Sequence, residues 1–164
     1  MTATNMDIPA DFTSIESIGS FVHEFRSGQL PKARWTHAAH LVAGLWHVLQ
    51  YGPDRALEEL RERIRAHNEA LGTPNTDDNG YHETITRFYV VTLDQARRIH
   101  PERERVPETL YHAVLRSRFA DSRLPLDFYR KETLFSVQAR REWVEPDIAP
   151  IHAPDIEYAL PGRG

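Results

Sequence analysis

From Trp35 to Pro53 the chain carries no Asp, Glu, Lys or Arg, although charged residues make up 27% of the whole. On a helical wheel drawn over Trp35 to Gln50, at about 100° per residue, apolar side chains occupy nearly every direction. The ionisable exceptions are His37, His40 and His47, which fall within about 80° of one another on that wheel, with Gly44 between them. A helix so apolar predicts a buried position. Buried imidazoles need hydrogen bonds or something to coordinate, because an unsatisfied polar group in a core costs roughly 1 to 3 kcal/mol.

The flanking segments carry the same helical period. Thr13 or Ser14 can cap a run with Ile15, Ile18, Phe21, Val22 and Phe25 on one face, and Gly28 stops it. Gly52 ends the histidine helix, and Pro53 suits the first position of the next one. From Asp54 to Leu71 an apolar stripe of Leu57, Leu60, Ile64 and Leu71 lies among charged residues, and Asn68 falls within about 40° of its centre. Gly72 to Gly80, GTPNTDDNG, has loop composition and could fold over a site. Tyr81 to Ile99 predicts a long helix with Tyr81, Ile85, Phe88, Thr92, Ala96 and Ile99 on one stripe, His82 at its border and Pro101 as its stop. Pro107 opens another helix through about Phe119, and Ser136 caps a short one to Trp143.

Strands lack convincing alternation, so the expected fold is all-α: a helical bundle over residues 1–145. An extended tail follows over 146–164, where Pro146, Pro150, Pro154 and Pro161 forbid a regular helix. That tail is expected to pack along the surface or against a second subunit, as in a homodimer.

At 164 residues and 40% apolar content the chain has the size of one domain. Its net charge of −4 is mild, and basic and acidic residues are interspersed, so no nucleic-acid partner is expected. There is no cysteine, which excludes disulfides, thiolate metal sites and cysteine nucleophiles. The N-terminal sequence shows no signal-peptide pattern, and the uncharged stretch holds three histidines and ends in Gly52 and Pro53. A cytoplasmic protein with no membrane partner is expected.

His37 and His40, spaced i, i+3, occupy neighbouring positions on one helical face and could ligate one metal ion. His82, beside the polar loop, is the candidate third ligand. His47 lies roughly 10 Å along the axis from His40 and is expected to support the site. Asn68 and Thr86 are candidates for orienting a histidine or contacting substrate. Glu83 is the candidate general base, although the wheel turns it about 100° from His82 toward the charged face, where the helix dipole alone explains an acid. His23, His67, His100, His112 and His152 are expected to be solvated. Nitrogen ligands in a cysteine-free bundle suit Zn, Fe, Ni or Mn, with an open position for hydrolytic or oxidative chemistry on a small molecule. The alternative is a non-catalytic helical module that binds a small molecule or a protein, its histidines satisfied internally. A third reading is a histidine pH sensor.

The segments WTHAAHL (Trp35–Leu41), IRAHN (Ile64–Asn68), GYHETIT (Gly80–Thr86), FYRKETLFS and ARREWVEPDIAP resemble a family of small bacterial proteins across most of the chain. That resemblance implies neither a reaction nor a ligand. Three-histidine helical-bundle metalloproteins such as the DinB-like group offer an architectural precedent, with their histidines at different spacing.

Overall fold

The computed structural model describes residues 8–156. Among them the helical pattern becomes seven α-helices linked by 3-10 turns, with no strand. Helix α1 (Ile15–Arg26) starts at a capping box in which the Ser14 side chain accepts from the Ser17 N–H and the Ser17 side chain accepts from the Ser14 N–H. Helix α2 (His37–Tyr51) is capped by Thr36, whose hydroxyl accepts from the Ala39 N–H. It ends at Gly52, where φ is +79° and a side chain would be strained. Helix α3 (Pro53–Ala70) follows at once, with Pro53 at a position whose N–H would have no helical partner. Then come α4 (Glu83–Ile99), α5 (Pro107–Leu115), α6 (Lys131–Leu134) and α7 (Val137–Arg141).

Helices α2, α3 and α4 pack most extensively on one another, with α1 and α5 against further sides of α2 and α7 against α4. Gly44 permits the close approach of α2 to α4, because a Cβ there would stand 3.0 Å from Leu93 Cδ1. The apolar faces meet in a core that includes Phe21, Phe25, Leu41, Leu45, Phe88, Leu93 and Tyr129. Each such side chain contributes roughly 1.5 to 3 kcal/mol when fully buried. No helix among the described residues is long and apolar enough to cross a membrane.

Five local expectations are corrected. The helix from Pro107 ends at Leu115 rather than near Phe119, because the Ser117 hydroxyl takes the Phe119 N–H and starts a 3-10 turn over Arg118–Ala120. Ile99, expected on the buried stripe of α4, is 63% exposed because the last turn of that helix overruns the core. His67, expected in solvent, is 1% exposed: its Nε2–H donates to the Leu30 carbonyl at 2.9 Å, with Phe25 and Trp35 against its ring. His100 is likewise buried, and His112 donates to the Phe12 carbonyl, whereas His23 and His152 are exposed.

After Glu142 the chain has no regular secondary structure as far as Ile156 and bends at residues 147–149, held largely through its backbone. The Thr84 hydroxyl donates to the Glu142 carbonyl and accepts from the Val144 N–H, Tyr129 donates to the Val144 carbonyl, and the Ile148 N–H reaches the Phe128 carbonyl. The last part of the expected tail, with Pro161, lies outside the described residues.

Candidate functional site

Two adjoining chambers open between α2, α3 and α4. The outer one, about 660 Å³, is lined by Lys32, Trp35, His40, Ile64, Asn68, Tyr81, His82, Ile85 and Thr86 and by the loop residues Gly72, Thr73, Pro74, Asn79 and Gly80. The inner one, about 340 Å³, is lined by His37, His40, Thr86, Tyr89 and Ser122 among the apolar side chains Trp35, Leu41, Leu60, Ile64, Ile85 and Val90. Trp35, His40, Ile64, Ile85 and Thr86 line both. Chambers of this size, apolar with a few converging polar groups, have the character of small-molecule sites.

His40 stands on the shared wall and is held from two sides. Its Nδ1 lies 2.8 Å from the Thr36 carbonyl, which can only accept, so Nδ1 carries the proton and Nε2 keeps an open lone pair. Its ring lies against Trp35 at 3.9 Å between centroids, and Trp35 in turn stacks on Phe25 at 4.6 Å. Burial against these groups pushes the pKa of His40 down, the Thr36 carbonyl opposes the fall, and His37 and His67 add to it. The residue is also open to the chambers. Water there moderates the fall, so the pKa is lowered in direction and the imidazole is mainly neutral at pH 7.

The turn over Arg118–Ala120 orients His37, whose Nε2–H donates to the Phe119 carbonyl at 2.8 Å, leaving Nδ1 without a hydrogen-bond partner. His82 is the N-cap of α4. Its Nδ1 accepts from the Ile85 N–H at 3.1 Å and its Nε2–H donates to the Leu134 carbonyl at 2.7 Å, so both ring nitrogens are engaged. Burial lowers its pKa, with the Leu134 carbonyl opposing. A metal bond from His82 would uncap α4, which costs roughly 0.5 to 2 kcal/mol. Among the described residues no group of three His, Cys, Asp or Glu is placed to hold one ion.

The other expected site residues take different places. His47, fully buried, lies with Nδ1 2.7 Å from the Ala43 carbonyl and Nε2 accepting from Arg26 at 2.9 Å. Glu83, expected toward the charged face, is 8% exposed and lines neither chamber. Arg61 binds its carboxylate with Nε at 2.9 Å and Nη2 at 2.7 Å, and the Tyr81 hydroxyl donates to it at 2.8 Å. Burial acts to raise the Glu83 pKa, and these hydrogen bonds more than offset it, holding the carboxyl below its ordinary value. Thr86 donates to the His82 carbonyl rather than its ring and lines both chambers.

Asn68 lines the outer chamber and ties down the loop. Its Nδ2 donates to Asn75 Oδ1, which also accepts from the Tyr81 N–H, while Asn75 Nδ2 donates to the Arg65 carbonyl. Gly80, with φ +82°, closes the turn; a Cβ there would meet the Pro74 carbonyl oxygen at 2.6 Å. Arg141 grips Asp77 from α7 through two hydrogen bonds of 2.7 and 2.6 Å, and Arg140 donates to the Gly80 and Tyr81 carbonyls. Sequence reasoning missed Trp35, Asn75, Tyr89 and Ser122 as site residues. Only for Trp35, which opens the WTHAAHL segment at the start of the histidine helix, was there a signal.

Fold and site together define a helical protein with a histidine-walled, two-chamber cleft. In comparison with known proteins the chain matches no family model, no curated protein and no solved structure.

Proposed function

We propose that the protein binds a small, uncharged organic molecule in the cleft, with the neutral imidazole of His40 accepting a hydrogen bond or a proton from it. The observation that carries this reading is the open Nε2 lone pair of His40 on the wall common to both chambers, its ring pinned by Thr36 and Trp35. A nitrogen held in that way suits an acceptor whose orientation is set before the ligand arrives. The same group serves as a general base if the bound molecule has an acidic proton, so an enzyme and a binding module differ in the ligand rather than in the site.

A screen of uncharged fragments followed by protein NMR tests the reading. Fragments are expected to shift the Trp35, Ile64 and Ile85 resonances together, and His40→Ala to weaken those binders about tenfold, the loss of roughly one good hydrogen bond. Fragments that leave these residues unmoved, or that bind His40→Ala equally well, contradict it.

A second reading rests on His37 Nδ1 and His40 Nε2, which lack partners on neighbouring turns and whose residues line the same chamber. These two nitrogens would hold a divalent transition metal such as Zn, Fe, Ni or Mn, with water or substrate completing the coordination. On that reading untagged protein contains near-stoichiometric metal by elemental analysis, and His37→Ala and His40→Ala both lose it. Wild type that stays metal-free after reconstitution, and melts unchanged in chelator, overturns it.

A further inference from the structure

The inner chamber presents a narrower chemistry than the cleft as a whole. No Asp, Glu, Lys or Arg lines it; Lys32 belongs to the outer chamber. A charged group entering there would lose its hydration without gaining a counter-ion. The Tyr89 ring forms part of its wall, and the Tyr89 hydroxyl is buried with no hydrogen-bond partner. A buried hydroxyl left in this way costs roughly 1 to 3 kcal/mol, which a ligand acceptor recovers once the ring turns its shielded hydroxyl toward the chamber. Burial, reinforced by the charge of Asp121, raises the Tyr89 pKa, so the phenol stays a donor across the ordinary pH range.

Beside Tyr89, at 5.7 Å between ring centroids and tilted by 64°, lies His37, and His40 follows one turn later. Their open nitrogens, Nδ1 of His37 and Nε2 of His40, can only accept from a ligand while the rings are neutral. Of the hydroxyls in its wall, Thr86 already donates to the His82 carbonyl and Ser122 is exposed to solvent, so Tyr89 is the one buried donor left without a partner, beside the imidazole acceptors. A carbonyl or an ether answers the donor alone, and an apolar molecule answers neither. A hydroxyl answers both with a single group.

We infer that the inner chamber takes an uncharged phenol or alcohol with an apolar body, its hydroxyl accepting from Tyr89 and donating to His37 or His40. This rests on the cleft being a small-molecule site, as proposed above, and specifies the ligand class.

Titrations of para-cresol, para-methylanisole, toluene and para-toluate, followed at the Ile85 and Val90 methyl groups by NMR, test it. Para-cresol is expected to bind about tenfold more tightly than toluene or the anisole, the effect of one net hydrogen bond, and para-toluate not at all. Tyr89→Phe is expected to bring para-cresol to the toluene level and leave toluene unchanged. The empty variant should be as stable as wild type or more so, because it loses an unsatisfied hydroxyl. Equal binding of para-cresol and toluene, or no effect of Tyr89→Phe, overturns the inference while leaving the cleft reading intact. If no probe reaches these methyl groups but other fragments still shift Trp35 in a His40-dependent manner, the inference alone fails. If nothing shifts Trp35, both fail.

Discussion

Replacing His47 by alanine is expected to destabilise the fold by about 3 kcal/mol at pH 7, the combined effect of a buried cavity and an unsatisfied partner. His47 is the junction of three helices. Its Nε2 accepts from Arg26 Nη1, and the same Nη1 donates to Glu59 at 3.1 Å, so one imidazole on α2 links α1 to α3. The Arg26 guanidinium also lies over the Trp46 and Tyr51 rings at 5.6 and 5.8 Å, and loses one of its two side-chain acceptors when the imidazole goes.

The size of this loss is expected to depend on pH. Burial pushes the His47 pKa from 6.5 to about 4, partly opposed by the Ala43 carbonyl and reinforced by Arg26. The unfolded chain therefore binds a proton that the folded chain refuses between those values. The stability that neutral His47 contributes is complete above about pH 6.5, falls as the pH drops toward 4, and is level below that. Urea denaturation at pH 7 and pH 5 should show the difference between wild type and His47→Ala shrinking by about 2 kcal/mol on acidification. An identical difference at both pH values would mean that the imidazole is not held neutral.

Glu83→Ala is expected to cost about 3 kcal/mol as well, through a different network. The carboxylate satisfies the Tyr81 hydroxyl, a residue 4% exposed, and pairs with Arg61 in a two-pronged bond; it also sits in the first turn of α4, where negative charge is favoured. Arg61 is half open to solvent and can turn away, so the buried Tyr81 hydroxyl carries most of the penalty. Because Glu83 lines neither chamber, Glu83→Gln is expected to leave fragment affinity in the inner chamber unchanged. A Glu83→Gln variant that folds normally yet loses binding or turnover would return Glu83 to the role of base.

These two residues show where the chain could be read in advance and where it could not. Boundaries followed local chemistry: Ser14, Ser136, Gly52, Pro53 and Pro107 stop or start helices by capping bonds or backbone restriction that act within a few residues. The unusual content of α2 also singled out His37 and His40, which line the inner chamber, because an uncharged helix with imidazoles on one face is a local pattern. What a wheel cannot show is which neighbour arrives. Glu83 reads as a surface acid until Arg61 from α3 and Tyr81 close over it, and His67 reads as solvated until Leu30 and Trp35 pack around it. His82 looks like a ligand because it borders a loop, but the backbone N–H of Ile85 and the carbonyl of Leu134, 52 residues away, take both its nitrogens. Tyr89 is an ordinary core aromatic by period, and only the absence of a partner for its hydroxyl marks it out.

The central claim is that His40 presents a neutral nitrogen to whatever occupies the cleft. Nitrogen-15 NMR of the imidazole rings, titrated from pH 8 to pH 4 with and without the best fragment, tests it most directly. The expected result is an Nδ1–H tautomer for His40, titration below its ordinary 6.5, and a fragment-induced change at Nε2 that leaves Nδ1 on the Thr36 carbonyl. A His40 that titrates at or above 6.5, or whose Nε2 is indifferent to every fragment bound in the cleft, would contradict the account.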